Sequence, residues 1–246
     1  MITSRAHRGL CGAAALGLAL TGCHPAPPEP SGPSTFPPCT DSTGRLIADV
    51  NNDDRLDRVT GTEGTGADLA VSFGDESGFS EPRTPKDLLG SSPADLLGEL
   101  PTEDEQVVAA VADFDGDGWL DLVVAAATPT DVDDAGEDPR VGELRLGPFS
   151  DRGIGQRTVQ PHLGYTYGLR VVDLNEDEHP DLASYYHYGD GHDAIAGLLG
   201  GAENGLSGRD GRFHEDFTAS QQREAGGMDN LLPPAASDRF LPACDA

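Results

Sequence analysis

An all-β domain assembled from repeated strand–loop–strand units is the fold class this sequence predicts, and three observations carry that expectation. An acidic nine-residue segment recurs three times, as DVNNDDRLD from Asp49, DFDGDGWLD from Asp113 and DLNEDEHPD from Asp173, at intervals of about 60 residues. Apolar runs of strand length flank it, such as VVAAVADF before the second copy and LDLVVAAA after it. In Leu69, Val71 and Phe73 apolar residues alternate with polar or small ones, the pattern of a half-buried strand.

The whole chain sets the bounds. With 246 residues and 37% hydrophobic content it holds one globular domain once its non-folding ends are set aside. Its 43 acidic and 16 basic residues give a formal charge of −27, which excludes nucleic acid as a partner, because phosphates are held mainly by Lys and Arg. Because short apolar runs recur between the acidic stretches, a folded domain with its charge in loops is expected, not a disordered acidic chain.

Residues 1–22 read as a signal peptide: Arg5 and Arg8 give the positive region, Leu10 to Leu20 the apolar core, and small residues follow. That core is about half as long as a membrane-spanning helix requires. The sequence Leu20, Thr21, Gly22, Cys23 resembles the lipobox of bacterial lipoproteins, and the resemblance implies export and a lipid on Cys23 at the cell envelope, with the outer membrane as the expected site. Residues 23–40 then form a proline-rich tether, in which Pro25, Pro27, Pro28, Pro30, Pro33, Pro37 and Pro38 forbid helix and most sheet pairing. At about 3.1 Å per residue it would hold the domain roughly 40 to 50 Å from a membrane. Cys11 leaves with the leader and Cys23 is the lipid site, so Cys39 and Cys244 remain, either as one disulfide tying the ends of the domain or as two free thiols.

The acidic segments carry oxygen side chains at positions 1, 3, 5 and 9. In a tight loop alternate residues point to one centre, so the carboxylates converge, and a shell of hard oxygens of that number suits Ca²⁺ better than Mg²⁺, which demands a stricter octahedron. An EF-hand is excluded: position 12 is Thr60, Val124 or Ser184 instead of Glu, and the flanks are strand-like.

These residues resemble the FG-GAP or VCBS repeats, the β-propeller repeats of integrin α subunits, in which a nine-residue calcium loop joins two strands of a blade. The likeness is clearest in VADFDGDGWLDLVVAAATP; Tyr167 and Gly168 followed by LRVVDLNEDEHPDLA, VSFGDESGFS from Val71 and LLGGAENGLSG from Leu198 also match, and together these cover about residues 41–210. Carried over residue by residue, the resemblance implies up to three Ca²⁺ ions. Their ligands would be Asp49, Asn51, Asp53 and Asp57; Asp113, Asp115, Asp117 and Asp121; and Asp173, Asn175, Asp177 and Asp181, with backbone oxygens from Arg55, Trp119 and His179. At position 6 only Gly118 is the family's glycine; Asp54 tolerates a left-handed backbone and Glu178 does so less easily, which makes the third site the weakest.

The chain thus divides into three repeats over about 41–100, 101–160 and 161–215, with residues 216–246 as a tail or closing strands. The resemblance implies a small or partial β-propeller. Propellers use four to eight blades and this chain has room for three and a fraction, so either the termini combine into a degenerate fourth blade, or the units stay open, or rings form between chains. Between the first two units SSPADLLGEL reads as a short helix capped by Ser92 with Pro93 in its first turn.

The expected function is a calcium-stabilised binding or scaffold module with protein or carbohydrate partners and a membrane reached through the lipid. An enzyme acting on polysaccharide or lipid is the alternative. For it the sequence offers only His162, His187, His192 and His214 with Asp190 and Asp193, without repeated ligand spacing or a nucleophile motif. Sugar stacking would use Trp119, Tyr165, Tyr167, Tyr185, Tyr186 and Tyr188, provided several of the rings are exposed together.

Overall fold

The apolar runs become the strands of three four-stranded antiparallel sheets, each a meander in chain order. The structure, a computed structural model, describes residues 26–90, 96, 101, 103, 105–127, 141–187, 192–201 and 204–244. The expected signal peptide, Cys23, the helix after Ser92, Tyr188 and Asp190 lie outside them. The first sheet contains β1 (Cys39–Thr40), β2 (Leu46–Ala48), β3 (Asp57–Thr60) and β4 (Ala70–Ser72), followed by a hairpin of β5 (Gly74–Asp75) and β6 (Gly78–Phe79) and by α1 (Pro85–Leu89). The second contains β7 (Gln106–Ala112), β8 (Asp121–Ala127), β9 (Val141–Leu146) and β10 (Arg157–Val159). The third contains β11 (Tyr165–Val172), β12 (Asp181–His187), β13 (Asp193–Leu198) and β14 (Arg209–Phe217). The fold is all-β in its body, and no sheet closes into a barrel.

The sheets stack face to face in chain order, which explains two kinds of strand sequence. Ala109, Val111, Leu122, Val124 and Ala126 of the middle sheet meet Leu46, Ala48, Val59 and Val71 of the first. Their neighbours of opposite parity, Val108, Ala110, Val123 and Ala125, meet Leu169, Val171, Leu182 and Leu198 of the third. A strand covered on both faces has no polar position, so every residue of β8 is buried and its sequence is a continuous DLVVAAA. The first sheet has one packed face; Val59 and Val71 are fully buried while Arg58 and Ser72 between them are not, the alternation expected for this region.

Among the described residues the chain after β14 adds no further sheet. α2 (Ala219–Ala225), a 3-10 turn at Met228–Asn230 and α3 (Ser237–Phe240) follow, and Met228, Leu231 and Leu232 cover the outer face of the third sheet over Val172, Tyr185 and Ile195. The segment then reaches the first sheet, where Ala243 bridges Thr40 in parallel and Cys244 bonds Cys39 with their Cα atoms 4.9 Å apart. The possibility of a fourth blade from the termini is thereby corrected: β1 joins the first sheet, and among the described residues the C-terminal segment is helical or irregular. Among those residues, too, no helix is long and apolar enough to cross a membrane.

Two buried arginines fasten the connections. Arg145 is 1% exposed, pairs with Glu143 at 2.9 Å and donates to the carbonyls of Leu88, Leu89 and Gly153, holding α1 to the second sheet. Arg170 ties the Gly64 carbonyl and the C-terminal segment, through Asp229, Leu232 and Pro233, to β11. α1 itself was legible and missed: Thr84 with Asp87 forms a capping box and Pro85 occupies the first helical turn.

Candidate metal loops

Each acidic segment joins two adjacent strands at the same end of its sheet: β2 to β3, β7 to β8 and β11 to β12. All three adopt one backbone path. Position 4 is left-handed in each (Asn52 φ 57°, Gly116 φ 74°, Glu176 φ 61°), and so is position 6 (Asp54 φ 63°, Gly118 φ 91°, Glu178 φ 66°). The expectation singled out position 6 alone and doubted Glu178, yet Glu178 takes the same conformation as the glycine. The two reversals let backbone N–H groups turn inward onto the acidic side chains. Asp49 accepts from the Asp53 and Asp54 amides, and Asp113 from those of Gly116 and Gly118, at 2.8–3.2 Å. At position 5, Asp53, Asp117 and Asp177 each accept from the amide two residues on.

A left-handed backbone costs a residue with a Cβ about 1 kcal/mol relative to glycine. Glu178→Gly is therefore expected to raise stability by about that amount, a melting increase of about 2 to 4 °C in chelator. A fall in melting temperature would show that the Glu178 side chain holds the loop in some other way.

In the second loop Asp113, Asp115 and Asp117 bring one oxygen each within 4.8 Å of one another. The first and third loops have Asn at position 3, and the amides of Asn51 and Asn175 donate to Asp53 and Asp177. Two oxygens in these loops are buried without a hydrogen-bond partner, Asn51 Oδ1 and Asp173 Oδ1. The third loop also carries a cation of its own: Arg239 of α3 lies 3.4 Å from Asp173 Oδ2. That guanidinium is a second feature, beside the left-handed Glu178, that sets the third loop apart. Arg55 lies 3.7 Å from Asp53 Oδ2, exposed to solvent.

Position 9 has a structural task that spacing alone did not reveal. Asp57, Asp121 and Asp181 are 0% exposed, and each spends both carboxylate oxygens on backbone amides. One oxygen accepts from position 2 of its own loop (Val50, Phe114 and Leu174), and the other from a glycine just after the third strand of the unit (Gly74, Gly147 and Gly200), all at 2.7–2.8 Å. A Cβ on those glycines would fall 1.9–2.5 Å from the carbonyl of position 8, at Leu56, Leu120 and Pro180. The position-9 aspartate thus brackets loop and turn in every unit. The next sheet adds a stitch, since Phe149 N–H donates to Val50 O and Gly201 N–H to Phe114 O.

Burial, opposed by these amide bonds and reinforced by neighbouring carboxylates, raises the loop acids above the ordinary range: Asp57 to about 7, Asp113 to about 6, and Asp49, Asp115, Asp121 and Asp181 upward as well.

Among the described residues the candidate histidines form no cluster of three metal-type ligands. His187 pairs with Asp193 on one face of the third sheet, while His214 meets Asp216 and Tyr186 on the other. Trp119, Tyr185 and Tyr186 are 4–5% exposed, and Tyr186 lies beneath the Arg209 guanidinium, so these rings are not an open stacking surface. Tyr165 and Tyr167 are half-buried. In comparisons with known proteins the chain matches no family model, no curated protein and no solved structure.

Proposed function

We propose that this chain is a calcium-stabilised, propeller-like scaffold, exported and lipid-anchored at Cys23, that engages protein or carbohydrate partners at the cell envelope, in keeping with its resemblance to FG-GAP and VCBS repeats. The observation that carries the reading is the identity of the three loops: one left-handed pattern at positions 4 and 6, built from different residues each time, and one bracket from the position-9 aspartate to a glycine. Three successive meander sheets packed face to face support the propeller reading, with the C-terminal segment covering the third blade and the disulfide fastening it to the first.

The donor set fits a hard divalent cation. The Asp113, Asp115 and Asp117 oxygens and the partnerless Asn51 Oδ1 and Asp173 Oδ1 are groups that calcium satisfies. Close carboxylate pairs repel by about 4 kcal/mol each at an effective dielectric near 20, and a bound ion offsets that repulsion. Three sites held at ten times their dissociation constants contribute about 4 kcal/mol together, a rise of about 10 °C in melting temperature.

The sign of the pH dependence supplies a sharper test. A carboxyl whose pKa is higher in the fold than in the unfolded chain keeps its proton more firmly when folded. In the metal-free protein the stability these loop carboxyls contribute is fully present at or below the ordinary carboxylate range, near pH 4, and is lost as pH rises through about 6 and 7, where Asp113 and Asp57 ionise. Calcium favours the ionised carboxylates, so it flattens this loss and releases protons as it binds. The measurement is melting temperature against pH in calcium, magnesium and chelator, with calorimetric counting of bound ions. Identical curves in calcium and chelator would sink the calcium reading.

A further inference from the structure

The stretch expected to stand free as a tether instead lies on the loops. Pro27 O accepts from Gln156 Nε2 at 2.8 Å, Pro28 O from Asn52 Nδ2 at 3.0 Å, and Gly32 O from the Trp119 indole at 2.7 Å. Pro33 packs against Gly118 so closely that a Cβ there would come within 2.6 Å of the proline ring. Farther on, Pro37 and Pro38 help to wall a cavity of about 380 Å³ with Val111, Val171 and Phe240. Gln156 lies before β10, outside the acidic loops, but the other contacts fall on them. Asn52 is position 4 of the first loop, and Gly118 and Trp119 are positions 6 and 7 of the second, on the rim of the turns whose interiors hold the acidic oxygens.

We propose that the loop-bearing face is a docking surface for a proline-rich segment, that residues 27–38 of this chain occupy it, and that calcium in the first two loops controls their release. A proline-rich segment suits the surface because its stiff rings limit the entropy lost on docking and the carbonyls of Pro27, Pro28 and Gly32 are available to side-chain N–H donors, the Trp119 indole among them. Calcium dependence follows from where the contacts sit. The same short turns that present Asn52, Gly118 and Trp119 outward gather the acidic side chains inward, so unneutralised charge loosens the rim that the strap grips. Docked, the strap holds the domain close to Cys23; released, the stretch through Pro38 is free to extend. The inference rests on the calcium and lipid-anchor readings above, and binding is reciprocal: whatever calcium adds to strap docking, the docked strap adds to calcium affinity.

Trp119 is the single tryptophan, so its emission and its quenching by iodide report the strap contact without a label. The experiment compares the full chain with a Pro28→Gly/Pro33→Gly variant, which loosens the strap and leaves every loop residue in place. Calcium is titrated by calorimetry while quenching is followed in calcium and in chelator. We expect Trp119 in the wild-type chain to be shielded in calcium and accessible in chelator. In the variant it is accessible in both, with the number of ions unchanged and calcium affinity about 5-fold lower or more. If calcium binds but shielding is the same with and without it, or if the variant keeps wild-type affinity and shielding, the strap proposal is overturned while the calcium reading stands. If calorimetry finds no calcium bound to the wild-type chain, the calcium reading fails and takes the proposal with it.

Discussion

Asp121→Ala is expected to destabilise the protein by about 2 to 6 kcal/mol, in chelator as well as in calcium. The side chain is fully buried, and its two oxygens are the partners of the Phe114 and Gly147 amides, each at 2.8 Å. Alanine strands both donors, at about 1 to 3 kcal/mol for each buried polar group left unsatisfied. One effect runs the other way: burial raises this carboxyl well above the ordinary range, so deletion also removes a group that is costly to ionise where it sits. Asp121→Asn separates the two contributions, because it is neutral, nearly isosteric and keeps one acceptor oxygen, and it should fall between wild type and alanine. By contrast Asp115→Ala and Asp117→Ala, whose side chains hold only amides of their own loop and bracket no distant turn, should cost clearly more stability in calcium than in chelator. Urea unfolding of the four variants with and without calcium tests the division of labour. Loss of the Asp121→Ala effect in chelator would mean that position 9 acts through the metal and not through its amide partners.

The difference between those positions also marks what was legible in the sequence. Oxygens at alternate positions of a nine-residue loop form a local pattern, so Asp113, Asp115 and Asp117 were identified together and the structure brings them together. The strands beside them were legible too, because the run LDLVVAAA has the length and continuity of a strand buried on both faces. The bracket was harder to see, since the partners of Asp57, Asp121 and Asp181 are glycines 17 to 26 residues away. A signal existed nevertheless: Gly74, Gly147 and Gly200 each lie just after the third strand of a unit, and two of them stand inside the segments that carried the resemblance. The strap was invisible for a different reason. Its proline content correctly excludes helix and sheet, but composition does not say whether an extended segment is solvated or docked, and its contacts use main-chain carbonyls that every sequence possesses. Arg239 beside Asp173 is likewise a long-range pairing, set by where the C-terminal segment crosses the loop end of the third sheet.

That same crossing makes the Cys39–Cys244 bond the other large expected effect. The cross-link closes a loop of 205 residues, and constraining an unfolded chain over such a span stabilises the fold by about 3 to 5 kcal/mol. Around it the contacts are few: Thr40 N–H donates to Pro242 O at 2.8 Å, Cys244 N–H donates to Thr40 O at 2.9 Å, and β1 has only two residues. The first sheet is also the thinnest, with strands of two to four residues against six to nine in most of the other two. A Cys39→Ala/Cys244→Ala variant should therefore lose about 3 to 5 kcal/mol overall, and the loss should not be uniform. Amide exchange is expected to quicken first in β2, β3 and the segment after α3, while β8 and β12, buried between covered faces, keep their protection. Because the first loop hangs from β2 and β3, its calcium affinity should fall with them and that of the second loop should hold. Uniform loss of protection across all three sheets would instead make the stack a single cooperative unit, and unchanged stability would show that the C-terminal segment holds the ends together without the bond.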